Sequence, residues 1–502
     1  MGSKNKNTTT KILTRLQAEQ SGSKESKYIL LYRTIKYLIT NYELPQGWKL
    51  PSTRQISQDA DLSRTTILNA YELLLIEKLI TSQPGSAYRV SYTIDERTSG
   101  TKISNEETNF NYPEISERGK SFLENTYILN REHDDNVAFR PGLPPLDIFP
   151  INRWKNLVNT YWRHVKSSGL NYSQTTGVGD LKQSICNYLN ISRNIKCDPE
   201  QIVIVSGSLQ SLFLIATTTI NKGDEVILEN PVFPNVHSVF KSSQAKVIPC
   251  NLDDEGIEIH KLKNRLGLKP KLIHVTPSNQ YPMGVKMSLK RRKELLQYAE
   301  ENAALIIEND YENEIANINN PLPTLYSLDK QDRTIYMGTF NRLLHPSIRL
   351  GYMIVPKYLK PAVEALQEHS HRFVPPSMQI VMQQFIEKNY LYQHIQQCLE
   401  EAKERFQVFE ETFQKQIPSM RLQEIEFSSF HRIAFFNEQV TPNQELEIVQ
   451  KLNNSGVKVL SLSKCFIDEP KETGLILGYS SVRTTIIRQK IETMARVMKD
   501  VF

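Results

Sequence analysis

Apolar residues near the start of the chain recur at helical spacing. From Tyr28 to Asn41 they fall at Ile29, Leu30, Tyr32, Ile35, Leu38 and Ile39, the stripe of an amphipathic helix. Gly47-Trp-Lys-Leu-Pro51 breaks that stripe. Ser52 then stands as an N-cap before a short helix from Thr53 to Ala60, and Ser63 caps a third helix through Thr65, Ile67, Ala70, Tyr71 and Leu74. Two short helices joined by Asp61-Leu62 have helix-turn-helix proportions. Beyond Lys78, the segments Leu79-Ile80-Thr81-Ser82 and Ala87-Tyr-Arg-Val90 flank Pro84-Gly85-Ser86 and predict a β-hairpin wing.

Apolar periodicity fades from Ser91 to about Asp135, which predicts an interdomain linker with one short helix. A body begins near Val137. Its pattern is different: short strand-like runs, several of them apolar throughout, separated by helical stretches such as Leu289 to Asn302. The runs are Ile202–Val205, Glu225–Leu228, Lys246–Pro249, Lys271–Val275, Ala304–Glu308, Thr334–Met337 and Tyr352–Val355. Strands apolar on both faces predict a mostly parallel α/β sheet covered on both sides. Ligands of such sheets bind at the carboxyl ends of the strands, where the loops after Val205, Glu308 and Met337 leave. The expected division is therefore a winged helix-turn-helix over 25–92, a linker over 93–135 and an α/β body over 136–502.

The 502 residues exceed one compact domain, and 39% of them are hydrophobic, enough for ordinary cores. No apolar run approaches the ~18 residues of a membrane span, and Met1 to Gln20 is polar and basic without the apolar stretch of a signal peptide. A cytoplasmic chain with no membrane partner is expected. The cysteines Cys186, Cys197, Cys250, Cys398 and Cys465 are scattered and suit buried thiols in a reducing compartment, with no metal site. Charge adds an asymmetry: residues 1–90 hold 13 Lys+Arg against 7 Asp+Glu, the whole of the net +6. A basic module on a neutral body suggests a polyanionic partner, the alternative being a solvated basic face.

Leu50-Pro-Ser-Thr-Arg-Gln-Ile56, Leu62-Ser-Arg-Thr-Thr-Ile67, Ala70-Tyr-Glu-Leu-Leu74 and Pro84-Gly-Ser86 resemble the winged helix-turn-helix of GntR-type bacterial transcription regulators. The resemblance implies double-stranded operator DNA as partner, with the third helix entering the major groove by its N-terminal end. Ser63, Arg64, Thr65 and Thr66 are then best placed for base edges and phosphates, Arg54 for the backbone or a guanine, and Gly85 and Ser86 for the wing contact. Asn69, one turn deeper, either joins them or is only solvated.

The body resembles fold-type I aminotransferases, and the combination is similar to the MocR/GabR group of GntR regulators over nearly the whole chain. That resemblance implies an aminotransferase-like domain using pyridoxal phosphate (PLP) and an amino compound as a sensor, in a domain-swapped homodimer. Pro277-Ser-Asn-Gln-Tyr-Pro-Met-Gly284 and Glu308-Asn-Asp-Tyr311 match its loops. Gly207 and Ser208 at a helix N-terminus, Thr339, Arg349 and Tyr172 of the partner subunit would form its phosphate cup. Phe233 stands where a ring stacks on the pyridine, or is a core residue; Tyr311 would point at the ring hydroxyl.

Three positions depart from that pattern. In Gly338-Thr-Phe-Asn-Arg-Leu-Leu-His-Pro-Ser-Ile-Arg-Leu-Gly-Tyr352, Arg342 occupies the place of the Schiff-base lysine. A guanidinium forms no aldimine. Asn309 stands for the Asp that keeps the pyridine nitrogen protonated, and Ile476 for the Arg that binds a substrate carboxylate. No covalent PLP is expected, whereas non-covalent PLP or another phosphorylated or anionic effector fits Ser208, Thr339 and Arg349. Arg342 either faces that anion together with Arg349 or turns onto Asp310 or Glu308 and plugs the cleft. The expected function is a non-catalytic, anion-sensing transcription regulator; the alternatives are a working PLP aminotransferase with an accessory DNA-binding domain and a ligand-free dimeric repressor.

Overall fold

The computed structural model describes residues 2–20, 25–82, 87–91, 113–125, 138–263, 267–316 and 321–499. It divides into two compact units, Met1–Tyr112 and Pro113–Phe502. The wing turn with Gly85 and Ser86, and most of the expected linker, lie outside the described residues.

The first unit contains α1 (Gly2–Gln20), α2 (Lys27–Thr40), α3 (Thr53–Ala60), α4 (Arg64–Ile76), β1 (Ile80–Thr81) and β2 (Arg89–Val90). Both serine caps form: Ser52 accepts from the Gln55 amide at 3.2 Å and Ser63 from the Thr66 amide at 3.1 Å. Each satisfies one of the amides that a helix start leaves without a partner. Asp61 takes a left-handed conformation and turns the chain between α3 and α4. The apolar faces of these helices close on one core that includes Leu31, Ile35, Ile56, Ile67 and Leu74. Tyr71 is buried there and spends its hydroxyl on the Pro51 carbonyl at 2.8 Å. β1 and β2 pair antiparallel, with Ile80 opposite Val90. Helix α1 was not expected. It adds Ile12 and Leu16 to the same core and packs on α2 and α3.

The second unit begins with α5 (Glu117–Asn125), α6 (Ile151–His164) and α7 (Gly179–Arg193) and is built on an eight-stranded sheet. Its strands are β3 (Ile202–Val205), β4 (Glu225–Asn230), β5 (Lys246–Asp253), β6 (Gly256–Ile257), β7 (Pro270–Val275), β8 (Leu305–Asn309), β9 (Thr334–Thr339) and β10 (Gly351–Ile354), in the spatial order 3-10-9-8-7-4-5-6. The neighbours from β5 through β4, β7 and β8 to β9 run parallel, as the continuous apolar runs predict. β10 is antiparallel to both β3 and β9, so β3 ends on the same edge as the parallel strands. Helix α8 (Ser208–Thr219) leaves that edge after β3, and α9 (Pro234–Ser242) follows β4. Large apolar clusters fill both faces of the sheet. Beyond the long helix Tyr390–Gln416 lies a four-stranded antiparallel sheet, β11 (Met420–Leu422), β12 (His431–Phe436), β13 (Leu460–Ser461) and β14 (Gly474–Gly478), in the order 11-12-14-13.

Among the described residues no helix is long and apolar enough to cross a membrane, and no group of His, Cys, Asp and Glu could hold a metal.

Candidate functional site

In the first unit, the N-terminal ends of α3 and α4 carry the polar residues singled out in the sequence. Arg54, Ser63, Arg64 and Thr65 are exposed and Thr66 is partly buried. Ser63 and Thr66 also bond to each other through their hydroxyls at 2.8 Å, so both are engaged in the cap of α4. Arg54, Arg64, Thr65 and, one turn on, the exposed Asn69 are the side chains that this face presents to solvent.

In the second unit β3, β8 and β9 end on one edge of the sheet, and the residues singled out in the sequence follow those ends. Gly207 lies between β3 and α8 with φ of 136°, and a Cβ there would stand 2.7 Å from Asn341 Nδ2 and 3.7 Å from the Arg349 guanidinium. Arg349 itself has left-handed backbone, with φ of 50°. Thr339, the last residue of β9, accepts from the Asn341 amide at 3.2 Å, and Asn341 Oδ1 accepts from the Leu350 amide at 3.0 Å. No side chain caps α8, whose first residue is Ser208. A helix N-terminus, a guanidinium, an amide and a hydroxyl thus meet around a backbone with no room for a side chain. Donors in such an arrangement are of the type that can accept a tetrahedral anion. Ser206 binds the Gln210 side chain through both its amide and its hydroxyl.

From the end of β8 onward the acids alternate along the chain, and each has its own partner, buried in every case but the partly exposed Arg342. Glu308 lies 3.6 Å from Arg292, Asp310 2.9 Å from Arg193, Glu312 3.4 Å from Arg342, and Glu314 accepts from the Tyr188 hydroxyl. Burial raises the carboxyls of Glu308 and Glu314 to about 7. Glu312 is raised by its burial as well, with Arg342 pulling it back down. Arg342 also lies over the Tyr311 ring at 5.4 Å and presses on Gly142, where a Cβ would fall 1.7 Å from Nη1.

This corrects the picture of two arginines sharing one anion. Arg349 stands at the Gly207 cradle, while Arg342 is turned onto Glu312. Its partner is neither Asp310 nor Glu308, because Arg193 and Arg292 hold those. The sequence reading also missed Asn341, Glu312 and Gly142. The alternation of acids in Glu308-Asn-Asp-Tyr-Glu-Asn-Glu314 was the one signal for Glu312.

Asn309 Nδ2 lies 3.5 Å from His274 Nε2, and burial drives that imidazole down to about 3, so it accepts as a neutral ring. Among the described residues the buried Tyr311 hydroxyl has no hydrogen-bond partner, and burial keeps it protonated. Phe233 packs edge-on against Tyr281, with ring centres 5.1 Å apart. Ile476 is buried in β14 opposite Ile433, in one apolar cluster with Tyr281 and Tyr311. Tyr172 is exposed on the surface, where its ring meets Arg372 and Phe373 of the same chain.

The model of the aminotransferase class I and II family matches residues 146–485, and that of the bacterial regulatory proteins of the gntR family matches residues 27–90. Among curated proteins, the chain is 28% identical to the probable rhizopine catabolism regulatory protein MocR of Rhizobium meliloti, over 92% of each chain. It is 25% identical to the pyridoxine biosynthesis transcriptional regulator PdxR of Corynebacterium glutamicum, over 90% of this chain and 91% of that one. Among solved structures, the kynurenine aminotransferase of Pyrococcus horikoshii superposes with a TM-score of 0.66 at 24% identity, covering 74% of this chain and 92% of its own.

Proposed function

Since the chain belongs to the aminotransferase class I and II family and carries a gntR-family helix-turn-helix ahead of that domain, we propose that it is a transcription regulator of the MocR/GabR type, whose body holds a small anion and does no chemistry on it. The observation that carries this reading is Arg342. It stands for the Schiff-base lysine of related enzymes, and it is committed to Glu312.

PLP, which the fold family implies, fits these residues in part. The Gly207 cradle with Arg349, Asn341, Thr339 and the start of α8 suits a phosphate monoester, and Tyr311 offers an unpartnered hydroxyl to a ring substituent. The other two grips do not fit. A guanidinium forms no aldimine, and Asn309 beside a neutral His274 gives a pyridine nitrogen no negative charge. Ile476, buried among apolar neighbours, pairs with no carboxylate. The ligand is therefore held non-covalently: PLP itself, another phosphorylated metabolite or a dicarboxylate.

On this reading the N-terminal end of α4 enters the major groove of operator DNA, with Arg64 and Thr65 at the base edges and Arg54 on the backbone. The linker expected over 93–135 gives up α5 (Glu117–Asn125) to the body, against whose α9 that helix packs, and the protein acts in the cytoplasm as a homodimer on a two-part site. Trp162, Leu170 and Tyr172, large and exposed on the body, support a second copy as their cover. The test is to supply the purified chain with PLP, amino donors and 2-oxo acids. No amino group should move, while phosphate monoesters should raise the melting temperature. Amino transfer by the wild-type chain would overturn the reading, and no stabilisation by any anion would leave a ligand-free repressor in its place.

A further inference from the structure

Two of the five cysteines come together in a way their spacing does not announce. Cys186 lies in the middle of α7 and Cys197 in the connection from α7 to β3, and their sulfurs are 2.9 Å apart. Cys186 Sγ is also 3.5 Å from the Cys197 carbonyl oxygen. The backbone around Cys197 is fixed on both sides. Asn194 ends α7 in a left-handed conformation, the Ile195 amide returns to the Leu189 carbonyl, and Asp198 caps the next turn by accepting from the Glu200 amide. The other three thiols, Cys250, Cys398 and Cys465, are each buried elsewhere.

We propose that Cys186 and Cys197 form a reversible disulfide when the protein meets a hydroperoxide, and that this is a regulatory modification site of the body. Cys197 is partly exposed, so a small oxidant reaches it, whereas Cys186 is buried and waits behind it. The surroundings favour a thiolate. Lys182, one turn before Cys186 on α7, is a buried cation, and the neighbouring thiol donates to whichever sulfur has lost its proton. The hydrogen bond within the pair holds the Cys186 thiol below its ordinary value and pushes the Cys197 thiol up, so Cys186 is the thiolate and the partly exposed Cys197 gives the oxidant its way to the pair. The chemistry balances with the peroxide as the only oxidant. One thiolate attacks a peroxide oxygen, the O–O bond breaks, and a sulfenic acid and one water or alcohol result. The second sulfur then attacks the sulfenic sulfur, the S–O bond breaks, and a second water leaves as the S–S bond forms. Two protons and two electrons leave the thiols, and the peroxide takes them.

The bridge would close over a functional segment. Between the two cysteines lies Arg193, whose Nε donates to Asp310 at 2.9 Å and whose Nη2 donates to the Ser278 hydroxyl at 3.0 Å. Asp310 stands between Asn309 and Tyr311, directly after β8. Oxidation therefore tethers the segment that holds Asp310, whatever ligand the neighbouring residues take.

The experiment uses the full-length chain, reduced, freed of reductant and treated with hydrogen peroxide. Titratable thiols should fall from five to three, and tryptic mapping should show peptides 183–193 and 197–222 joined until reductant is added. The variants Cys186→Ser and Cys197→Ser should each retain four thiols under the same treatment, with melting curves confirming that they fold. The oxidised wild type should melt higher than the reduced form, and the serine variants should show no such rise. Five thiols surviving peroxide, a bridge between another pair, or oxidation of Cys197 that stops at an unbridged sulfinic acid would each refute the proposal.

Discussion

Replacing Arg342 with Ala removes the cation that compensates Glu312. That carboxyl is wholly buried; its other partners are the Asn279 amide at 3.3 Å and the Phe430 backbone. Deleting one partner of a buried ion pair costs ~3–5 kcal/mol. Here the Arg342 side chain is 23% exposed and the contact is 3.4 Å, so solvent screens part of it and the expected cost at neutral pH is ~2–3 kcal/mol. The pH dependence is more diagnostic than the size. Burial raises Glu312 above its ordinary 4.5, and Arg342 opposes that rise. A carboxyl with a raised folded value loses stability as pH climbs from its unfolded value through its folded one. Without Arg342 the folded value rises further and the loss extends over a wider window. The deficit of the variant should therefore be small below about pH 4.5 and largest at neutral pH. Urea unfolding followed by Trp154 and Trp162, run across that range, measures it, and the double variant Arg342→Ala/Glu312→Gln should recover most of the loss. A deficit that is independent of pH, or a double variant no more stable than the single one, would refute the reasoning.

Arg64→Ala, at the exposed start of α4, should weaken specific operator binding by ~1–3 kcal/mol and relax sequence preference at one position, as read by fluorescence anisotropy on matched and mutated DNA. A phosphate monoester at ~100 times its Kd should stabilise the wild type by roughly 2.7 kcal/mol in a thermal melt, and Arg349→Ala should abolish most of that gain. Ile12→Ala should destabilise the first unit by ~2–5 kcal/mol, because this side chain is fully buried although it precedes the family match; chemical unfolding followed by Trp48 reports it.

What the sequence made legible follows from how local each signal is. The helices Lys27–Thr40, Thr53–Ala60 and Arg64–Ile76 were readable because stripe and serine caps lie within the segments themselves. The buried strands were readable as apolar runs, and their ends were off by only a residue or a few. Direction was not: nothing in Gly351–Ile354 says that it pairs antiparallel with both neighbours. Helix α1 escaped because Thr8 and Thr9 are buried beside Ile12 and Leu16, so its inner face does not read as apolar. The C-terminal sheet escaped because β11 and β13 are too short to show a period. At the candidate site, the residue types of the anion cradle could be assigned by resemblance, but the partner of Arg342 could not. Glu312 lies thirty residues away, and only the fold shows that Asp310 and Glu308 are already taken.

The most direct measurement is a titration of the full chain against an operator selected from random DNA, without and with PLP, followed by recovery of the PLP. Sequence-specific binding that shifts several-fold with PLP in the wild type but not in Arg349→Ala, with no pyridoxyl group fixed to the protein by borohydride and no amino form of PLP recovered after incubation with amino acids, is the expected result. Equal affinity for any DNA sequence, or PLP recovered as an amino form after incubation with an amino donor, would contradict a non-catalytic, anion-sensing regulator.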